Sequence, residues 1–228
     1  MERTILCYGD SNTWGYAPSN KKNLNPERYP RLVRWTGLLQ DSLGKGYYVI
    51  EEGLNSRTTN LDYHVPPDRN GKTYLPSCLY THAPIDLVVL ALGGNDLKTY
   101  FKRSPEQIRD GLGELIKLIK ASTYGRDMLS APDVLILSPP VLQKMTETFL
   151  DENNLHIFEG AVEKSKILVE LYAELAKQQD CYFLDISQTV STSLIDGLHF
   201  DANGHRILSY LIYTKIKAIY EPCSYNQN

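Results

Sequence analysis

Asp86-Leu87-Val88-Val89-Leu90-Ala91-Leu92 is apolar on both faces of any strand it forms. That is the pattern of a strand central in a parallel sheet, covered by helices above and below. Four other short runs share its character, at residues 4–8, 47–50, 134–137 and 182–186, all rich in Val, Ile, Leu and Tyr. The segments between them carry the helical period. Ile108, Leu112, Leu115, Ile116 and Ile119 form one stripe, Leu168, Leu171, Tyr172 and Leu175 a second, and Ile207, Leu208, Leu211, Ile212 and Ile216 a third. Ser104-Pro105-Glu106-Gln107 opens the first stripe with the signs of a capping box and a first-turn proline. Strand alternating with helix requires crossover connections, so the expected fold is α/β, a mostly parallel five-stranded sheet between helical layers.

The chain has 228 residues, 42% of them hydrophobic and 22% charged, as in an ordinary globular protein. That length is read as one domain. The net charge of -3 offers no basic stripe for nucleic acid. No apolar run is long enough for a membrane span, and Met1-Glu2-Arg3 does not open a signal peptide. The four cysteines, Cys7, Cys78, Cys181 and Cys223, form no C-x-x-C pair and read as small apolar filler in a reduced, cytoplasmic compartment. No cofactor and no metal site is expected.

In an open parallel sheet, ligands bind beyond the carboxyl ends of the strands, near the point where strand order reverses. The residues that follow each run therefore matter most. Gly9-Asp10-Ser11-Asn12 follows the first, and Glu51-Glu52-Gly53-Leu54-Asn55-Ser56-Arg57-Thr58-Thr59 ends and follows the second. Gly93-Gly94-Asn95-Asp96 follows the third and Ser138-Pro139-Pro140 the fourth. Beyond the fifth comes Asp196-Gly197-Leu198-His199-Phe200-Asp201. Four of these five ends carry groups that acyl transfer can use.

Each motif alone has an ordinary reading. Gly-Asp-Ser is a turn and helix-cap signal, Gly-Gly-Asn-Asp a turn, and Asp-x-x-His a capped turn beside an exposed histidine. Together they supply complementary parts. A serine hydroxyl needs a base, histidine is the usual one, and the histidine needs an acceptor to fix its tautomer. Of His64, His82, His156, His199 and His205, only His199 has an Asp three residues earlier in a glycine-bearing loop. His205 follows Asp201-Ala202-Asn203-Gly204, the start of a helix, and reads as structural. The Ser11 N–H and the Asn95 amide can serve as oxyanion donors.

Gly9-Asp10-Ser11, Gly93-Gly94-Asn95-Asp96 and Asp196-x-x-His199, in this order, resemble the GDSL/SGNH hydrolase superfamily. The fuller stretches through Tyr16 and Thr59, Leu75-Pro76-Ser77-Cys78-Leu79 and Asp196 to Phe200 resemble its aryl esterase/acyltransferase subgroup, including the mycobacterial acyltransferase. The resemblance implies the flavodoxin-like three-layer α/β/α fold with five parallel strands, the first and third side by side. It implies Ser11 as nucleophile, His199 as base, Asp196 as its orienting partner, and Asn95, with backbone N–H groups, in the oxyanion hole. It further implies a small-molecule ester substrate, serine esterase activity, acyl transfer to alcohols or peroxide in some members, and homo-oligomers that narrow the entrance to the site.

Two positions depart from the family pattern. Asn12 stands where many members have Leu and is not expected to touch the chemistry. Ser56 stands where a glycine is usual; because the donor there is a backbone N–H, Ser56 is expected to serve if its backbone angles allow. Trp14 and Tyr16 are candidate pocket residues. Loops around 60–80 and 140–157 are expected to shape the pocket. A carbohydrate O-deacetylase fits the same blocks. A dinuclear metallophosphoesterase does not, for want of Asp-x-His and Gly-His-x-His. A non-catalytic binding module on the same fold is the rival of another class.

Overall fold

The computed structural model describes residues 2–19, 27–63 and 66–221; the sequence candidates His64 and Cys223 lie outside them. Five strands form one sheet: β1 (Arg3–Gly9), β2 (Tyr47–Gly53), β3 (Leu87–Ala91), β4 (Asp133–Leu137) and β5 (Tyr182–Leu184). All neighbours are parallel, and the order is β2-β1-β3-β4-β5. The five-stranded parallel sheet is the one read from the sequence, though β5 ends at Leu184 rather than Ile186.

The helices are α1 (Ser11–Trp14), α2 (Trp35–Leu43), α3 (Gly71–His82), α4 (Pro105–Lys120), α5 (Ala161–Gln178) and α6 (Ala202–Tyr220). Strand side chains alternate between two cores. Leu6, Tyr8, Val88, Leu90, Val134 and Ile136 pack under α3, α4 and α5. Ile5, Cys7, Leu87, Val89, Leu135 and Leu137 pack under α2 and α6. A central strand covered on both faces has no polar side left, which is why residues 87–90 are all apolar.

The capping box at Ser104 and Gln107 forms, and the Asp201 carboxylate caps α6 by accepting from Gly204 N–H at 2.8 Å. One expectation needs correction. The second half of the stretch read as loop at 60–80 is α3, a twelve-residue helix capped by Asn70, whose side chain accepts from Lys72 and Thr73 N–H. Its mixed composition and internal Pro76 hide the helical period; burial of Leu75, Cys78 and Leu79 against the sheet stabilises it regardless.

The chain runs from β1 outward to β2, then crosses back to β3 on the other side of β1. The reversal of strand order therefore falls between β1 and β3, and Ser11 and Asn95 follow those two strands.

Candidate active site

Ser11 is the first residue of α1, a single helical turn pressed against the end of the sheet. The Asp10 side chain accepts from Asn12 N–H at 3.0 Å, capping that turn. As the first helical residue, Ser11 has an N–H that α1 itself cannot use. The tightness of the turn explains Gly9: a Cβ there would lie 2.1 Å from Thr13 Oγ1, inside any allowed contact. Burial pushes the Asp10 carboxyl above its ordinary value, against the opposing pull of the Asn12 N–H and the His199, Arg57 and Lys98 charges.

His199 reaches Ser11 from the other end of the chain. Its Nε2 lies 3.0 Å from Ser11 Oγ and its Nδ1 2.8 Å from Asp196 Oδ2. A carboxylate only accepts, so Nδ1 carries the proton and Nε2 is left to accept from the serine hydroxyl. The other Asp196 oxygen accepts from the N–H of Leu198 and of His199, both at 3.0 Å. Burial alone would raise the Asp196 carboxyl, but the donors from His199 and Leu198 outweigh it and hold it below its ordinary value. The loop closes through Ser193 N–H to the His199 carbonyl and Gly197 N–H to the Ser193 carbonyl, both at 2.7 Å. Gly197 has φ +68°, and a Cβ there would meet Met145 at 2.7 Å.

Asn12 does more than the sequence suggested. Its side chain donates to the Leu198 carbonyl at 3.3 Å and accepts from Phe200 N–H at 2.9 Å. These two bonds bracket His199 and tie its loop to the serine turn. No local signal marks this role, because the partners are 186 and 188 residues away.

The opposite wall comes from the loops after β2 and β3. Asn95 donates from Nδ2 to the Arg57 carbonyl at 3.2 Å, which uses one amide hydrogen and leaves a second. Arg57 is 2% exposed, and its Nη1 donates to the Gly9 carbonyl at 2.9 Å and to the Glu52 carbonyl. Its guanidinium stacks 4.1 Å over the Tyr8 ring. Asp96 accepts from Thr59 N–H at 3.0 Å, Thr59 Oγ1 at 2.5 Å and Arg103 Nη1 at 3.1 Å, so the Gly-Gly-Asn-Asp turn locks the loop bearing Ser56. Burial raises the Asp96 carboxyl to about 6 in spite of these donors. Ser56 has φ +66°, the left-handed region that glycine adopts freely.

A cleft of about 290 Å³ opens between the walls, lined by Ser11, Ser56, Asn95 and His199 together with Tyr16, Lys98 and Leu198. The Tyr16 ring stacks on the His199 ring, centroids 4.2 Å apart and 17° from parallel. Trp14 does not line this cleft; Arg28 sits 5.0 Å over its ring. Of the two expected pocket loops, the second contributes, through Asp151 and Ile157, with Phe158 just beyond it. Lys98 is a cleft residue that sequence reasoning missed. It is half-buried and donates to Tyr63 Oη at 2.6 Å. Burial pushes its ammonium down to about 8, with Asp10 and Asp96 pulling the other way.

His205 is fully buried on the first turn of α6, its Nδ1 accepting from Trp35 N–H at 3.3 Å. His156 Nδ1 pairs with the Glu147 carbonyl at 2.8 Å. Neither lines the cleft around Ser11.

An assembled hydroxyl–imidazole–carboxylate chain facing a small cleft has the groups that acyl transfer needs. No curated protein matches the chain. Among solved structures, the aryl esterase of M. smegmatis aligns at 40% identity and a TM-score of 0.87, covering 95% of this chain and 99% of that one. A carbohydrate acetylesterase from Sinorhizobium meliloti aligns at 41% identity and a TM-score of 0.88, covering 96% and 100%. A lipase/acylhydrolase from Enterococcus faecalis, at 22% identity and a TM-score of 0.67 over 95% and 96%, shares the fold. The GDSL-like lipase/acylhydrolase family matches residues 7–207, nearly the whole chain. This protein is a carboxylic ester hydrolase that belongs to the GDSL-like lipase/acylhydrolase family.

Proposed function

We propose that the protein hydrolyses small acyl esters, acetyl and aryl esters among them, through a covalent acyl-enzyme on Ser11. His199 Nε2 takes the hydroxyl proton as Oγ attacks the ester carbonyl, and Asp196 holds the imidazolium that forms. The oxyanion is met by the N–H groups of Ser11 and Ser56 and by the free amide hydrogen of Asn95. His199 then protonates the departing alcohol, and water, or an alcohol acting as acyl acceptor, releases the acyl group. The observation that carries this reading is the continuous chain from Ser11 Oγ through His199 to Asp196, at 3.0 and 2.8 Å.

A second reading, O-deacetylation of carbohydrates, is favoured by the polar groups of the cleft wall, Lys98 and Asp151, which suit a hydroxylated leaving group. The 41% identity to a carbohydrate acetylesterase points the same way. A homo-oligomer that narrows the entrance belongs to the proposal as well: Leu194 and Ile195, beside Asp196, are 81% and 49% exposed. The free, buried thiols of Cys7 and Cys78 suit a reducing, cytoplasmic compartment. Among the described residues no helix is long and apolar enough to cross a membrane.

Treatment with a fluorophosphonate, followed by intact mass and mapping of the adduct, tests the mechanism. A single adduct on Ser11, absent in His199→Ala, supports it. No adduct on folded protein overturns it. Relative kcat/KM on an aryl acetate and an acetylated sugar then separates the two substrate readings.

A further inference from the structure

Away from the cleft that holds Ser11, one other cluster gathers chemically able side chains. Cys78 and His82 stand four residues apart on α3 and so share a face of that helix. Glu52, next to last in β2, reaches them from the sheet. The Glu52 carboxylate lies 2.8 Å from His82 Nε2, and the carboxylate oxygen, imidazole nitrogen and Cys78 Sγ all fall within 4.8 Å of one another. Among the described residues this is the sole group of three such side chains placed to hold a metal ion.

We infer that Glu52, Cys78 and His82 form a site for a borderline divalent cation of the zinc class, which clamps α3 to β2. The donors decide the class. Thiolate and imidazole select zinc-like ions, whereas calcium and magnesium require shells of oxygen. Zinc–ligand bonds of about 2.0–2.3 Å place tetrahedral donors roughly 3–4 Å apart, so side-chain rotations of about an ångström close the set. Two of the three ligands sit on one rigid helix and the third on a strand, which keeps the ordering cost low.

Solvent reaches the site on the side of Glu52 and His82, whose side chains are partly exposed. Glu52 also lines a cleft of about 560 Å³ with Asn70, Thr73, Tyr74 and Ser77. The charged and titratable groups that line this cleft beside Glu52 are Arg57, Asp62, Asp68, Arg69 and Tyr74. Arg57 is engaged with two backbone carbonyls and the Tyr8 ring, and the Tyr74 hydroxyl lies 3.4 Å from Glu52. Glu52 and a Cys78 thiolate supply two negative charges, which match those of an entering dication. Metal binding takes Cys78 as the thiolate, so its thiol proton is released to solvent. The competing arrangement is a plain Glu52–His82 hydrogen bond that needs no ion.

Titration of the chelator-treated full-length protein with Co²⁺ alone distinguishes the two. The expected result is a thiolate-to-cobalt charge-transfer band in the near ultraviolet that saturates at one ion per chain and is displaced by Zn²⁺ but not by Mg²⁺. Cys78→Ser should abolish the band, and His82→Gln should weaken Co²⁺ binding by roughly tenfold or more. Zn²⁺ should raise the thermal midpoint of the wild type by roughly 5 °C or more when well above its Kd, and that of His82→Gln by much less. Absence of the band in the wild type, or its survival in Cys78→Ser, overturns the site. If Cys78→Ser does not fold, full-strength Co²⁺ binding by His82→Gln and Glu52→Gln does the same. None of these readouts depends on esterase activity.

Discussion

The two walls of the candidate active-site cleft are built on different physical principles. The wall that carries Ser11 and His199 is joined by side chains: Ser11 to His199, His199 to Asp196, and Asn12 to the backbone on both sides of His199. The facing wall is joined by buried charge and backbone geometry: Arg57 across two carbonyls, Asp96 beneath Thr59, Ser56 in a left-handed conformation. In the proposed mechanism the first wall lets a proton move, and its groups are few, directional and open to the cleft. In that mechanism the second holds donors still while charge develops, and it is locked from behind. Substitutions that separate proton transfer from oxyanion binding test this contrast.

The largest effect belongs to the first wall. Ser11→Ala or His199→Ala should lower kcat by at least roughly 10³ on a simple aryl ester, with the fold unchanged by circular dichroism. Retained turnover in either would end the assignment. On the facing wall, Asn95→Ala should cost about 10²–10³ in kcat, because one preorganised donor is lost while the acyl-enzyme can still form. Fluorophosphonate labelling should then survive in Asn95→Ala and vanish in His199→Ala; equal loss in both would erase the difference between the walls.

A second histidine behind the first wall sharpens what makes His199 special. His205 is buried, its Nδ1 accepts from Trp35 N–H, and burial pushes it down to about 4 from an ordinary 6.5 in spite of the nearby Asp201 charge. Between those values the unfolded chain binds the proton and the native state does not, so this residue's contribution to stability is present above about pH 6.5 and lost as pH falls toward 4. His205→Gln should therefore be most destabilising near pH 7. Its deficit relative to wild type should shrink on acidification through this window, by on the order of 3 kcal/mol in denaturant unfolding. A deficit that does not change with pH would show that His205 titrates normally.

Smaller effects probe how each wall is held. Asn12→Leu removes both bonds that bracket His199 and should lower kcat about tenfold with KM little changed, the cost of a loosened base. Ser56→Gly should leave kcat within about threefold, because the donor at that position is a backbone N–H and glycine adopts φ +66° freely. A hundredfold loss there would mean that the Ser56 hydroxyl, not its N–H, meets the substrate.

Much of this was legible in the chain. The strand runs, the helix with its capping box, and the blocks holding Ser11, Asn95, Asp196 and His199 are local patterns, in which residue type and spacing carry the signal. His205 was separable from His199 for the same reason, since Asp201 caps α6 and places His205 in its first turn. Helix α3 was not legible, because Pro76 and a mixed face conceal its period. Lys98 and the second role of Asn12 were not legible either, since both depend on which distant segment lies opposite.

By itself the sequence determined the alternation of strand and helix, and with it which turns lie at the carboxyl edge of the sheet, because strand period, helix period and turn chemistry act over a few residues. Tertiary structure alone decided that Ser11 and His199 meet, that Asn12 ties them, that Ser56 is held left-handed, and that Glu52 reaches Cys78 and His82. Each of those is a distance between segments remote in the chain, set by strand order and by the packing of helices on two faces of a sheet. Spacing along the sequence does not encode it.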